Sequence, residues 1–373
     1  MSGWDLLIGG YNKEAPGAGG PAAGQPGVVR VARLDDQGHL TDAGRLDGGV
    51  NPSWITVHPT RPVAYACNED FAPGVVGSVV TWDVGRGAPE SRAGASTGGH
   101  APCHAVVAPD GEDHALVVSH YVGGQVSVVP LDREGLPYGS ASDVITHMGA
   151  SFADRERQEA PHPHQATLDP VSGLIWVSDL GQDRVVGYRL WKGKLRQEAE
   201  QMTPPGFGPR HTALHPGRDH LALVGELANE VIVYRRDPTR SGWLDVSRHS
   251  TLPAGWSGEN GAAALVWSSD GRHLYASNRG HDSVAVWNFD VATARLALRG
   301  HSAVGASPRD FCLTPDGRWA LSAAQGEHRA IAFPVLPSGL LGPETDSIEC
   351  AYAARVAVVG HPRQRQANGS GGR

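Results

Sequence analysis

The chain of 373 residues is short of lysine, cysteine and long apolar runs, and each shortage excludes something. Lysine occurs only as Lys13, Lys192 and Lys194, so nearly all of the 32 basic residues are arginine and a single arginine signifies little. Against them stand 39 acidic residues; the net charge of −7 argues against a nucleic-acid partner, which a basic surface would have to meet. No run approaches the ~18 apolar residues that a membrane-crossing helix needs, and no membrane partner is expected. Met1-Ser2-Gly3-Trp4-Asp5 has neither the basic nor the apolar segment of a secretory leader. Cys67, Cys103, Cys312 and Cys350 show no Cys-x-x-Cys spacing, and the plain reading is free, buried thiols in a cytoplasmic protein. No carboxylate cluster suggests a metal ion. The lack of a Gly-x-Ser-x-Gly elbow disfavours a serine acyl-enzyme.

Turn-forming residues are plentiful instead, with 49 glycines and 27 prolines, and they punctuate a repeat. Its fullest copy runs Pro209-Arg210-His211-Thr212-Ala213-Leu214-His215-Pro216, then Leu221-Ala222-Leu223-Val224-Gly225-Glu226. Copies begin at Pro52, Pro102, Pro163, Pro209 and Pro308, and a degenerate one runs from Asn260-Gly261-Ala262-Ala263 to Ser269-Asp270-Gly271. The period is roughly 51 residues, with about four short apolar runs per copy, which is the signature of a propeller blade. Two leftovers, Leu6-Leu7-Ile8-Gly9-Gly10-Tyr11 with Gly27-Val28-Val29-Arg30-Val31 and Ala354-Arg355-Val356-Ala357-Val358-Val359, make one composite blade. The expectation is an all-β, seven-bladed β-propeller of four-stranded antiparallel blades, closed by the N- and C-terminal strands in one blade. It forms a single domain over residues 1–360, followed by a disordered polar tail, 361–373. A ring closed in this way needs no partner, so a monomer or weak homo-oligomer is expected. A loop of small residues, 12–26, interrupts the first blade. The step from Pro102 to Pro163 is about ten residues longer than the period. The excess falls in residues 147–160, a polar insertion of the kind that serves a site on a rigid scaffold.

Equivalent positions in a propeller ring the central axis. The position after the first proline of each copy reads Ser53, Cys103, His164, Arg210, Ala263, Arg309; the end of the second run reads Glu69, His120, Leu180, Glu226, Arg279, Gln325. Structural positions of a repeat converge on one residue type, whereas these diverge and most can carry charge. A lone histidine is more often structural than catalytic, and an arginine at a strand end is usually a surface charge. Convergence of His164, Arg210, Glu226 and Arg279 from three consecutive copies tips the balance towards a site. Chemically they are an acid or base, His164 or Glu226, beside two arginines able to grip a carboxylate, a phosphate or an oxyanion.

The phrases Pro161-His162-Pro163-His164-Gln165, Gly208-Pro209-Arg210-His211, Leu223-Val224-Gly225-Glu226-Leu227 and Ala276-Ser277-Asn278-Arg279-Gly280-His281-Asp282-Ser283 resemble the seven-bladed propeller lactonases over residues 6–359. That family contains the propeller-type 6-phosphogluconolactonases and the fungal 3-carboxymuconate lactonising enzymes. Arg157-Gln158 also resembles the family's loop, whereas Trp267-Ser268-Ser269 departs from its common proline turn and Cys67 stands where Val or Ala is usual. The resemblance implies a cytoplasmic enzyme without metal or organic cofactor, with His164, Arg210, Glu226 and Arg279 catalytic. Glu69, His120, Arg157, Arg309 and Gln325 are the further candidates for holding a small anionic lactone or carboxylate. Three activities stay open: hydrolysis of a sugar lactone such as 6-phosphogluconolactone, intramolecular cyclisation of a muconate-type carboxylate, and partner binding without catalysis. A WD40 reading is weak, because Trp82-Asp83 is the only such pair ending a strand and the period exceeds about 45 residues.

Overall fold

The structure, a computed structural model, describes residues 3–15, 20–21, 27–85 and 88–360. The tail 361–373 and most of the loop 12–26 lie outside the described residues. Seven four-stranded antiparallel sheets follow one another around an axis. Blades one to six occupy residues 52–96, 102–146, 163–202, 209–250, 261–303 and 308–349. Each runs from its innermost to its outermost strand in chain order. The seventh takes its innermost strand, Ala353–Gly360, from the end of the chain and three strands between residues 3 and 49 from its beginning. Leu7 pairs with Ala357 and Ile8 with Val356 across that seam. The composite blade expected from the leftovers is therefore present, as one strand plus three.

The second strand of a blade is apolar throughout because both of its faces are covered. In His220–Gly225 of blade four, Ala222 and Val224 pack with Leu265, Leu274 and Trp287 of blade five. Leu221 and Leu223 point the other way, onto Leu174 and Trp176 of blade three. A period of two thus divides one apolar run between two neighbours. Outermost strands such as Glu90–Ser96 are largely exposed and polar, which blunts the free edges of the blades.

The prolines that mark the repeat open the innermost strands of blades one to four and six, where a missing N–H costs no ladder bond. The residue ahead of the strand takes a left-handed backbone at Asn51, Ala101, Gly208, Ser307 and Tyr352, with φ of 45°, 51°, 63°, 51° and 45°. That conformation is strained for the four that are not glycine. Directly after the proline comes a one-residue bulge, so Ser53, Cys103, His164, Arg210 and Arg309 are each the extra residue of a pairing. Ala263 and Ala354 occupy the matching bulges of blades five and seven. A bulge re-aims the side chain that it adds. Here it happens once per blade, at the end of the strand nearest the axis.

Candidate active site

The two columns read from the sequence meet at one mouth of the axis. Glu226 immediately follows the second strand of blade four and exposes 5% of its surface. Its backbone N–H donates to Gly208 O at 2.8 Å, but its carboxylate is left for arginines. Oε2 accepts from Arg210 Nε at 2.8 Å and lies 2.9 Å from Arg279 Nη2. Oε1 accepts from Arg157 Nη2 at 2.7 Å. Burial alone would raise the Glu226 carboxyl, but Arg279, Arg210 and Arg157 together hold it well below the usual carboxylate range. It is a fixed anion, and a feeble base. Burial and the neighbouring Arg279 push the Arg210 guanidinium down to about 9, so it stays charged at neutral pH.

Arg157 comes from the insertion, whose anchoring explains its reach. His147 bonds the buried Asp179 carboxylate at 2.6 Å and Tyr188 Oη at 2.7 Å. Gln158 Nε2 donates to Leu180 O at 2.8 Å, and Asp154 Oδ1 accepts from the N–H of Arg157 at 3.0 Å. Arg157 is thus delivered over the mouth by a tied loop, and it also donates to Tyr121 Oη at 3.0 Å. An open cleft of about 690 Å3 lies outside this cluster, lined among others by Arg157, Glu226, Asn260, Arg279 and Gln325.

A second, much smaller cavity of about 20 Å3 lies further in. Its walls carry Tyr11, Ser53, Glu69, Cys103, His164, Arg210 and Arg309. Tyr11 Oη donates to Glu69 Oε2 at 2.7 Å and accepts from Arg309 Nη2 at 2.8 Å. Burial pushes the Glu69 carboxyl above its ordinary value, with Arg309 working against it. The site therefore holds two carboxylates shifted in opposite directions, the pattern that separates an acid–base group from an electrostatic one. Burial, helped by Arg210, holds the His164 imidazole well below 6.5, so it is neutral. His211 Nε2 accepts from Arg210 Nη1 at 3.1 Å, and His164 meets His211 edge to face at 5.5 Å. Beneath them His104 lies against Trp54 at 4.1 Å. Arg355 covers Trp54 at 3.9 Å and holds Asp310 through both carboxylate oxygens. Histidine, tryptophan and an ion pair thus plug the axis below the site.

The structure distributes the expected residues unevenly. Glu226, Arg279, Arg157 and Gln325 line the outer cleft; His164, Glu69 and Arg309 line the inner cavity. Arg210 lines the inner cavity and holds Glu226, so it joins the two. His120 lines neither. Its ring is fully buried inside blade two and bonds Ser127 Oγ at 2.9 Å. The register gives the reason: His120 pairs with Pro102, and the column position is the next residue, Tyr121. Elsewhere that position falls seventeen residues after the opening of the blade, as from Pro52 to Glu69 or Pro209 to Glu226. The first hairpin of blade two is two residues longer, one per strand, so the facing of the side chains survives while the count slips. Tyr121 stacks on His162 at 4.4 Å and meets His164 edge to face. Tyr11 is the column member of blade seven, since Ala353 pairs with Gly10. Among the described residues no group of three or more His, Cys, Asp or Glu is gathered to hold a metal ion, and no helix is long and apolar enough to cross a membrane.

The chain is similar to several known proteins. A 6-phosphogluconolactonase of Bacillus subtilis is 31% identical over 236 residues, 63% of this chain and 66% of that protein. An uncharacterised Staphylococcus epidermidis protein is 35% identical over 201 residues, 52% of this chain and 58% of its own length. The chain thus spans less than two thirds of the length of either of these relatives. A Pectobacterium atrosepticum 6-phosphogluconolactonase is 27% identical across 80% of this chain and 84% of its own. Among solved structures, the periplasmic gluconolactonase of Pseudomonas aeruginosa superposes with a TM-score of 0.84 at 27% identity, covering 96% of this chain and 100% of that one. A Lactobacillus plantarum protein gives 0.82 at 25% identity, covering 95% and 98%. The sequence matches the family described as Lactonase, 7-bladed beta-propeller, over residues 5–358. The chain belongs to this family of seven-bladed β-propeller lactonases.

Proposed function

We infer that the protein hydrolyses an anionic sugar lactone of the 6-phosphogluconolactone kind. One observation carries the reading: four guanidiniums, those of Arg157, Arg210, Arg279 and Arg309, converge on a mouth where Glu226 is the firmly ionised carboxylate. The excess of positive charge in a partly dehydrated cleft favours an anion, and guanidinium forks suit phosphate or carboxylate. Arg157 and Arg279 reach the outer cleft and would take the anionic group. Arg210, aligned by Glu226, would meet the charge that develops on the carbonyl oxygen. Neutral His164 would take a proton from the attacking water. That oxygen bonds the acyl carbon, the ring C–O bond breaks and the ring oxygen leaves as a hydroxyl. Glu226, gripped by three arginines, orients them and does not serve as the base. The names of the Bacillus and Pectobacterium relatives support a phosphorylated lactone, and that of the Pseudomonas relative supports a sugar lactone. The free thiols Cys67, Cys103, Cys312 and Cys350 support a cytoplasmic setting.

Base consumption in a pH-stat tests it, with 6-phosphogluconolactone and unphosphorylated gluconolactone as substrates. Acid release well above the spontaneous rate, and faster with the phosphorylated lactone at equal concentration, is expected. Turnover of 3-carboxymuconate without lactone opening would replace hydrolysis with cyclisation. Inertness towards both classes would leave a propeller that binds without catalysing.

A further inference from the structure

The inner cavity is small but chemically incomplete. Its volume of about 20 Å3 exceeds the roughly 10–15 Å3 that one water molecule requires. Two polar atoms on its lining residues have no hydrogen-bond partner, His164 Nδ1 and Ser53 Oγ, on residues exposed by only 8% and 6%. Ser53 Oγ lies close enough to the Glu69 carboxylate to lower its affinity for a proton, although it falls short of a full hydrogen bond. Buried polar groups are nearly always satisfied, and two orphans on residues that line one water-sized void describe a water site. Glu69 shares the same void.

We propose that this cavity holds one ordered water bridging His164 Nδ1 and Ser53 Oγ, and that this water relays a proton from His164 to Glu69 during turnover. The relay rests on the lactonase reading; the water site does not. Opening a lactone with water yields a hydroxy acid, which ionises and leaves one proton to dispose of. One proton of the attacking water ends on the ring oxygen as it leaves. The other passes to His164, which gives up its Nδ1 proton to the cavity water. That water hands one of its own to the Glu69 carboxylate; once the product has gone the transfers run back, Nδ1 regains a proton through the cavity water and His164 Nε2 releases its proton to solvent. No oxidant or further reactant enters. The raised affinity of buried Glu69 for a proton suits the role, and the groups facing it are Tyr11 of blade seven, Arg309 of blade six, Arg210 of blade four, and Cys67 and Cys103 of blades one and two. Tyr11 donates to the carboxylate and thereby sets how readily it is protonated. Glu69 is on this account a catalytic group that exchanges a reacting proton, and Tyr11 is a positioning residue.

A crystal structure of the full chain and pH–rate profiles of three proteins test this. The map is expected to show one water within hydrogen-bonding distance of His164 Nδ1 and Ser53 Oγ; an empty cavity overturns the site. Glu69→Gln is expected to lower kcat on gluconolactone about 10²-fold with KM little changed. Tyr11→Phe removes a donor to the carboxylate, so the acid limb of kcat should move to higher pH than in the wild type. Should Glu69→Gln fail to fold, the Tyr11→Phe profile decides alone. An unmoved limb, or a Glu69→Gln enzyme at full rate, overturns the relay. A wild type that opens no lactone removes the hydrolase reading and the relay with it, while the density still judges the water.

Discussion

Glu226→Gln is expected to lower kcat/KM for the lactone by about 10²- to 10³-fold while keeping the acid limb of the pH–rate profile, moved only towards lower pH as His164 loses a neighbouring anion. The carboxylate of Glu226 takes contacts from Arg210, Arg279 and Arg157 at 2.7 to 2.9 Å, and all three arginines owe their alignment to it. A neutral amide keeps the shape and removes the charge, so Arg210 and Arg279 are left repelling one another in a buried place, with the half-exposed Arg157 beside them. Breaking a buried charge cluster in this way costs on the order of 3–5 kcal/mol, and a lower melting temperature should accompany the kinetic loss. The acid limb discriminates between two roles. Were Glu226 the proton acceptor, its replacement would abolish that limb along with the rate. Its carboxyl is held well below the usual carboxylate range, so an aligning role keeps a limb set by His164 and Glu69, displaced only to lower pH by the lost anion beside His164. Loss of the limb in Glu226→Gln would return Glu226 to the part of base.

The second large effect is on stability, and acid produces it. His104, His164 and His211 are buried neutral, held well below 6.5 by burial first and by neighbouring arginines second. His120 is pushed down to about 3, again by burial. An unfolded chain protonates these imidazoles near pH 6.5 and the folded one does not, so from there downwards the unfolded state binds more protons. Stability is therefore fully present above pH 6.5 and falls as the pH drops. Each histidine contributes up to about 1.4 kcal/mol per pH unit. Glu69 acts in the opposite sense, since its folded carboxyl takes a proton more readily than its unfolded one. Glu226 adds to the loss only below the ordinary carboxylate range. With four histidines against one glutamate, the unfolding free energy should fall on the order of 5 kcal/mol between pH 7.5 and 5. Urea titrations at those two pH values measure it. Equal midpoints at both would mean that the axial histidines are hydrated and charged in the folded protein.

Much of this was legible in the chain because a propeller repeats its own grammar. An opening proline in five of the copies, a nearly constant interval to the end of the second strand and leftovers at both termini lead to seven blades and a closing seam. The divergent columns named Glu226, Arg210 and Arg279, and the structure brings these three together because ring positions converge on an axis. Depth was not legible. A strand register tells which way Arg210 and Arg279 point, but only packing puts the first in the inner cavity and the second in the outer cleft. The bulge after each proline was equally hidden, since it is a property of pairing and leaves no residue type behind it. Tyr121 was missed because two extra hairpin residues in blade two displaced the count onto His120. Tyr11 was missed because its blade is read backwards across the seam, from Ala353 to Gly10. Measuring the interval from the bulge, and not from the apparent end of the apolar run, would have found both.

The most direct measurement is a crystal structure with the open-chain product, 6-phosphogluconate, bound. The account predicts its phosphate between Arg157 and Arg279 in the outer cleft and its carboxylate turned inwards towards Arg210 and His164. Product lodged at another face of the ring, or bound at the mouth without touching either arginine, would contradict it.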